Sequence, residues 1–186
     1  MITKKTNIEG CVEIHPRILD DQRGRFAKTF HREVFHRLGL STDYAEEYYT
    51  ISRQRVLRGL HFQTPPFALN KLIYCLEGAV LDAVVDLRVG SPTYGKHALF
   101  NLSANQGSML YIPMGLAHGF YALSSNVIMM YKVTAVYSAE HDDGILWNSA
   151  GIMWPDLNPL LSERDRHFIP LREFKSPFGF GNHIHG

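Results

Sequence analysis

Cysteine is scarce in this chain: Cys11 and Cys75 are its only two, too few and too irregularly placed for a disulfide framework. Cys75 falls in a strand-like run where a small buried thiol is common, and the pair fits a reducing compartment, read as cytoplasm. No run approaches the ~18 apolar residues that span a bilayer, so no membrane partner is expected. Met1 to Lys5 leads into Thr6, Asn7 and Glu9 rather than the apolar stretch of a signal peptide. Charge of one sign is lacking too. Nineteen Lys and Arg against 18 Asp and Glu leave a net +1, and the basic residues are scattered, which excludes the broad field that attracts nucleic acid or anionic lipid. Phosphate recognition must then be local. Fixed-period repeats, low-complexity blocks and interdomain linkers are also missing.

What is there is ordinary in bulk. The 186 residues, 45% hydrophobic and 20% charged, suit one domain over 1–186 with a sizeable core, ending in a Gly, Pro and His-rich tail from Ser176 that is expected to be loose. Gly10 to His15 alternates like a strand, ends at Pro16 and is followed by the turn-rich run 20–24. Arg25 to Phe30 alternates again, and a short helix is expected from Glu33 to Leu38, closed by Gly39. From Tyr48 strands dominate: Tyr48–Ile51, Val56–Phe62, Lys71–Glu77, Val80–Arg88, His97–Leu102, Ser108–Ile112, His118–Ala122 and Val127–Tyr137. Short strands at this spacing, punctuated by Gly, Pro and Asn, predict an all-β sandwich or barrel. A loop and a short helix around Ser162 to His167 are expected to lie against it.

The unusual feature is where charge falls. Arg58-Gly59-Leu60-His61-Phe62-Gln63, Lys71 and the run from Ile112 to Phe120 with His118 put an arginine, a lysine and two histidines on segments that should bury a face. Burying Arg and Lys without an anionic partner is costly, so these residues predict a cationic pocket with a general base. His61 as a base needs an orienting carboxylate, positive charge where an anion develops and a proton donor across the substrate. Lys71 and Arg58 offer the charge. Tyr131 shares strand parity with Met129, Val133 and Tyr137 and so faces inward while Lys132 faces out, which makes it the candidate acid. Asp165 is the candidate orienter of His61, and Asp82, between Val80 and Val84 on one strand face, that of His118.

Gly107, Pro113, Gly115 and His118 resemble, in identity and spacing, the second signature of cupin barrels. In metal-binding cupins an upstream signature supplies a His-x-His pair, whereas this chain has His61-Phe62-Gln63. Two histidines fall short of the three or four ligands of a zinc or iron site, so no metal and no cofactor are expected. His183 and His185 in the tail are read as solvated side chains.

Together the motifs resemble the nucleotide-sugar epimerases of the dTDP-4-dehydrorhamnose 3,5-epimerase family. The resemblance runs from Asp21-Gln22-Arg23-Gly24-Arg25-Phe26 through Val56 to Gln63, Asp86 to Gly95, Ile112 to Phe120, Tyr131-Lys132 and Gly144 to Asn148, to Leu161-Ser162-Glu163-Arg164-Asp165. It implies an all-β cupin jelly-roll barrel with short flanking helices, free of metal, forming a homodimer in which an N-terminal strand reaches the partner's site. It implies His61 as base with Asp165 behind it, Tyr131 as donor on the opposite face, Lys71 at the enolate oxygen, and Arg58 and His118 lining the pocket with Asp82 behind His118. Arg23, Phe26, Lys28, Glu46, Tyr48, Tyr137 and Asp142 complete the expected substrate-binding set. The implied substrate is a nucleoside-diphosphate 4-keto-6-deoxyhexose inverted at C5, C3 or both.

Departures from the family pattern cluster in nucleotide recognition. Lys28 stands where a glutamate is usual, Glu46 and Tyr48 where a glutamine and an asparagine are, and Leu69 where a glutamine is. A lysine and a carboxylate invert the hydrogen-bonding polarity in the sense cytosine would need, which raises a CDP-linked 4-keto-3,6-dideoxyhexose as an alternative substrate. Two other readings are a cupin that binds a sugar nucleotide without catalysis and a sugar 3,4-ketoisomerase. The joint presence of His61, Tyr131, Lys71 and Asp165 argues against the first, and Tyr131 against the second.

Overall fold

The computed structural model describes residues 1–181. Its strands are β1 (Ile2–Lys5), β2 (Val12–His15), β3 (Ile18–Asp21), β4 (Gly24–Ala27), β5 (Glu46–Arg53), β6 (Leu57–Gln63), β7 (Lys71–Glu77), β8 (Ala79–Asp86), β9 (His97–Ser103), β10 (Met109–Ile112), β11 (Leu116–Ala122), β12 (Asn126–Val133) and β13 (Asp142–Gly144). Two short helices, α1 (Arg32–Arg37) and α2 (Glu163–His167), flank them. The strands form a 6-stranded sheet ordered β1-β2-β10-β7-β12-β5, a 5-stranded sheet ordered β13-β6-β11-β8-β9, and a separate hairpin of β3 and β4. This is the jelly-roll architecture expected from the sequence.

Alternation decides which side chains meet. In β8, Val80 and Val84 join Ile73, Leu110, Phe120 and Met129 in the core between the sheets, while Ala83 and Val85 point the other way, under Trp154, Ile152 and Phe178. The 5-stranded sheet is thus covered on both faces, and every residue of β11 is buried. The outer face of the other sheet receives Phe35 of α1 with Phe30 and Tyr44, which pack on Ile14, Leu72, Tyr74 and Tyr111. The loop after β8 is pinned by buried Asp86, which accepts from Arg88, Ser91 and Thr93. That network sets the turn carrying the Asp86-to-Gly95 motif.

Three strands were not anticipated. β1 is exposed along its whole length and β3 nearly so, so neither shows a buried face in its residue pattern, and β13 is only three residues long. The strand expected to reach Tyr137 ends at Val133, because the chain turns away where the Thr134 side chain accepts from the Asn70 amide. The expected loose tail is also corrected over residues 176–181. Phe178 is buried, and Val89 exchanges backbone hydrogen bonds with Phe178 and Phe180, because an aromatic there completes the outer cover of the sheet. His183 and His185 lie outside the described residues.

Candidate active site

The mouth of the barrel holds a cavity of about 460 Å³ whose walls come from both sheets. β6 and β11 bring Arg58, His61 and His118 from one side; β5, β7 and β12 bring Glu46, Tyr48, Thr50, Lys71 and Tyr131 from the other. Strict alternation would put Arg58 and His61, three residues apart, on opposite faces. A bulge resolves this: His61 pairs with His118 but Arg58 pairs with Phe120, so β6 spends one extra residue. Gly59 makes that possible at φ 134, where a Cβ would stand 2.5 Å from the Gly119 Cα. Only glycine fits that crossing.

His61 Nε2 lies 2.8 Å from Asp165 Oδ1. The second carboxylate oxygen accepts from the Gly59 amide at 3.2 Å, and Ser162 caps α2 by accepting from the Asp165 amide, which fixes the helix that carries the carboxylate. Burial alone would raise the Asp165 pKa, but the hydrogen bonds from His61 and Gly59 outweigh it and hold the carboxyl below its ordinary value. Burial pushes the His61 imidazole below its ordinary 6.5 against the pull of Asp165, with Lys71 and Arg164 adding to the depression. At neutral pH His61 is therefore uncharged, and a charged Asp165 favours the tautomer with the proton on Nε2, which leaves Nδ1 as the basic nitrogen.

Lys71 is 8% exposed and donates to the His61 carbonyl at 3.1 Å. Burial lowers its pKa to about 8, while Asp142 and Asp82 oppose that fall. Tyr131 is buried in the same sheet as Lys71, in the wall opposite His61, its ring stacked on Tyr48 at 4.9 Å and edge-on to His118 at 6.2 Å. Burial, then the neighbouring Tyr48 and Asp82, keep its phenol well above the usual range, so it holds its proton. His118 Nε2 and Asp82 Oδ2 are 2.8 Å apart and both are buried. Burial drives the Asp82 pKa up against His118 and Lys71, and its Oδ1 has no hydrogen-bond partner among the described residues.

The remaining expected residues divide. Arg58 lines the wall, anchored by Ser52 and the Ile51 carbonyl, and Glu46 accepts from the Tyr137 amide at 3.0 Å. Tyr137 and Asp142 stand on the rim, Tyr137 from a loop rather than by strand parity. Arg23, Phe26 and Lys28 are not brought to this cavity. Arg23 folds onto Asp21 on the exposed hairpin, Phe26 is 58% exposed, and Lys28 is exposed just beyond β4; the hairpin is held elsewhere, by Arg25 donating to the Ala104 and Asn105 carbonyls. The polarity inversion proposed for cytosine therefore has only Glu46 inside the chain's own site.

Arg164 was missed as a lining residue. It pairs with Asp142, lies over the Phe168 ring at 5.3 Å and stands 3.8 Å from Asp165 Oδ1. Its place next to Asp165 in a motif already singled out was the available signal. Gln63, at the position of a metal-cupin ligand, spends its amide on the Phe67 and Val136 carbonyls and the Ser138 amide. Among the described residues no three or more His, Cys, Asp or Glu side chains are grouped to hold a metal ion.

Residues 5–173 match the family model described as dTDP-4-dehydrorhamnose 3,5-epimerase. The chain belongs to that family. A dTDP-4-dehydrorhamnose 3,5-epimerase of Sinorhizobium fredii is 44% identical over 171 residues, covering 90% of this chain and 88% of the relative. The crystal structure of the enzyme of that name from Bacillus anthracis, with TDP and PPi bound, superposes with a TM-score of 0.88 at 38% identity over 91% of this chain and 98% of its own. A 3'-monoepimerase of Streptomyces bikiniensis in complex with dTDP-quinovose gives a TM-score of 0.86 at 32% identity, covering 90% of this chain and 86% of its own. These epimerases are isomerases, and this chain shares their fold across both sheets.

Proposed function

We propose that this protein epimerises a dTDP-linked 4-keto-6-deoxyhexose, dTDP-4-dehydro-6-deoxyglucose in the first instance, at C3 and C5. One observation carries the reading. A neutral imidazole backed by a carboxylate and a protonated phenol face one cavity from opposing sheets, with a buried ammonium beside them. The C4 ketone acidifies the neighbouring C–H bonds, but an imidazole is still a weak base for them, so the enolate must be stabilised as it forms. His61 takes the proton, the electron pair moves into the new C–C double bond, and negative charge collects on the C4 oxygen. The Lys71 ammonium meets that charge. Tyr131 then delivers its proton to the opposite face of the same carbon, the C4 ketone re-forms and the carbon is inverted; His61 releases its proton to solvent and Tyr131 takes one up, which restores both groups.

His118 and Arg58 line the substrate region, and Glu46, Tyr137 and Asp142 contact the nucleotide side. The described residues act as one domain, since both sheets supply the walls of this cavity. Arg23, Phe26 and Lys28 complete the site of a second copy: the hairpin exposes Leu19 and Phe26, an apolar surface that a homodimer would cover. The two free buried cysteines fit action in the cytoplasm. The names of the relatives point to dTDP rather than CDP, and the monoepimerase among them makes inversion of one carbon only the second reading.

Incubation with dTDP-4-dehydro-6-deoxyglucose in deuterated water, followed by NMR and mass analysis, tests the proposal. Deuterium and inversion at both C3 and C5 are expected. Label at one carbon supports the monoepimerase reading, and no label with either the dTDP or the CDP substrate removes epimerase activity altogether.

A further inference from the structure

Tyr48 stands where the family pattern usually has an asparagine of the nucleotide site, yet its ring lies against another residue. β5 pairs with β12 so that Tyr48 is directly opposite Tyr131, and the two rings are nearly parallel, 11° apart with centroids at 4.9 Å. β5 is the edge strand of its sheet. Tyr48 is 42% exposed while Tyr131 is 6% exposed, so on that side Tyr48 is the last ring between the donor and solvent. The edge of Tyr131 is met by His118. One face held by stacking and one flank held by an imidazole leave the phenol little freedom to swing.

We infer that Tyr48 is a positioning residue: by stacking on Tyr131 it keeps the proton donor aligned with the substrate face opposite His61, and so sets how often proton removal ends in inversion. The inference rests on the epimerase reading above. Once His61 has taken the proton, the enolate has two fates. Tyr131 O–H adds a proton to the far face and the carbon inverts; or protonated His61, having exchanged with solvent, returns one to the near face and the carbon keeps its configuration while gaining label. Misplacing the donor slows the first route and leaves the second open. An asparagine at 48 offers no ring face, whereas a phenylalanine keeps one.

The experiment measures inversion per exchange event for the wild type, Tyr48→Asn and Tyr48→Phe, with dTDP-4-dehydro-6-deoxyglucose in deuterated water. Tyr48→Asn is expected to lower that ratio about five-fold, and Tyr48→Phe to keep it within about two-fold. An unchanged ratio in Tyr48→Asn, or an equal fall in both variants, overturns the inference. Calorimetric titration of each variant with dTDP separates a nucleotide contact: weakened dTDP binding with an unchanged ratio assigns Tyr48 to the nucleotide and sinks the positioning role. A wild type that neither exchanges nor inverts instead brings down the epimerase reading, a result visible before any variant is compared.

Discussion

Two His–Asp pairs face the same cavity at the same 2.8 Å separation, yet they differ in kind. The His61 side chain is 26% exposed to the cavity, and its carboxylate partner is satisfied by a backbone amide and sits on a capped helix. The His118 side chain is 4% exposed, and its partner Asp82 is fully buried with one oxygen unpaired among the described residues. Hydrogen bonds pull Asp165 down, whereas desolvation drives Asp82 up. The residue pair alone therefore does not define a base. A carboxylate that stays charged orients and supports an imidazole, while one pushed toward protonation gives it less electrostatic support.

The largest break in this comparison is His61→Asn, expected to reduce solvent exchange into substrate by about 10³-fold. His118→Asn should cost about ten-fold less than that, and equal losses would remove the distinction. Asp165→Asn comes next. With the tautomer no longer fixed, kcat should fall about 10²-fold, against a smaller fall for Asp82→Asn.

The pH profile sharpens the comparison. The proposed mechanism needs His61 neutral and Lys71 charged, so activity should fall below the depressed His61 pKa and again above about 8, where Lys71 loses its proton. Lys71→Arg keeps the charge to higher pH, and the upper limb of kcat/KM should disappear or move up by at least about one pH unit. An unmoved upper limb would detach it from Lys71.

The smallest effect lies in acid melts. Asp165 has a folded pKa below its unfolded one, so the unfolded chain binds more protons between the two. Its contribution is present above the ordinary value of 3.8 and is lost as pH falls through the folded pKa. Asp82 has the opposite sign: the folded chain binds more protons, so its contribution weakens as pH rises from 3.8 through its raised folded value. Denaturant melts from pH 3 to 7 should then show Asp165→Asn narrowing its gap to the wild type on acidification and Asp82→Asn widening its own. Parallel curves would show that the two carboxylates titrate alike.

Much of the fold was legible because burial writes a period into a strand. β7 was anticipated residue for residue, and β6, β8, β9 and β10 within two residues at each end. β1 and β3 were not, because neither buries a face and neither of their residue runs, Ile2–Lys5 and Ile18–Asp21, alternates. In the site, inward parity identified Tyr131, and chemical need pointed to Asp165. Tyr137 reached the rim for a reason that parity did not supply, since its strand had already ended. Arg164 was passed over because a charged residue on a short surface helix looks like solvent-facing decoration. The hairpin residues Arg23, Phe26 and Lys28 were legible only as part of a motif.

The amino-acid order alone determined the strand-rich architecture and the presence of two histidines, a tyrosine and two cations on segments that must be buried. Those follow from local pattern and composition, which need no partner segment. Only the tertiary structure decided that Arg58 and His61 share a face, that Asp165 rather than another carboxylate stands behind His61, and that Tyr48 lies on Tyr131. A bulge, a capped helix remote in sequence and a cross-strand register produce these contacts, and none leaves a periodic trace, because each depends on which strand lies alongside which.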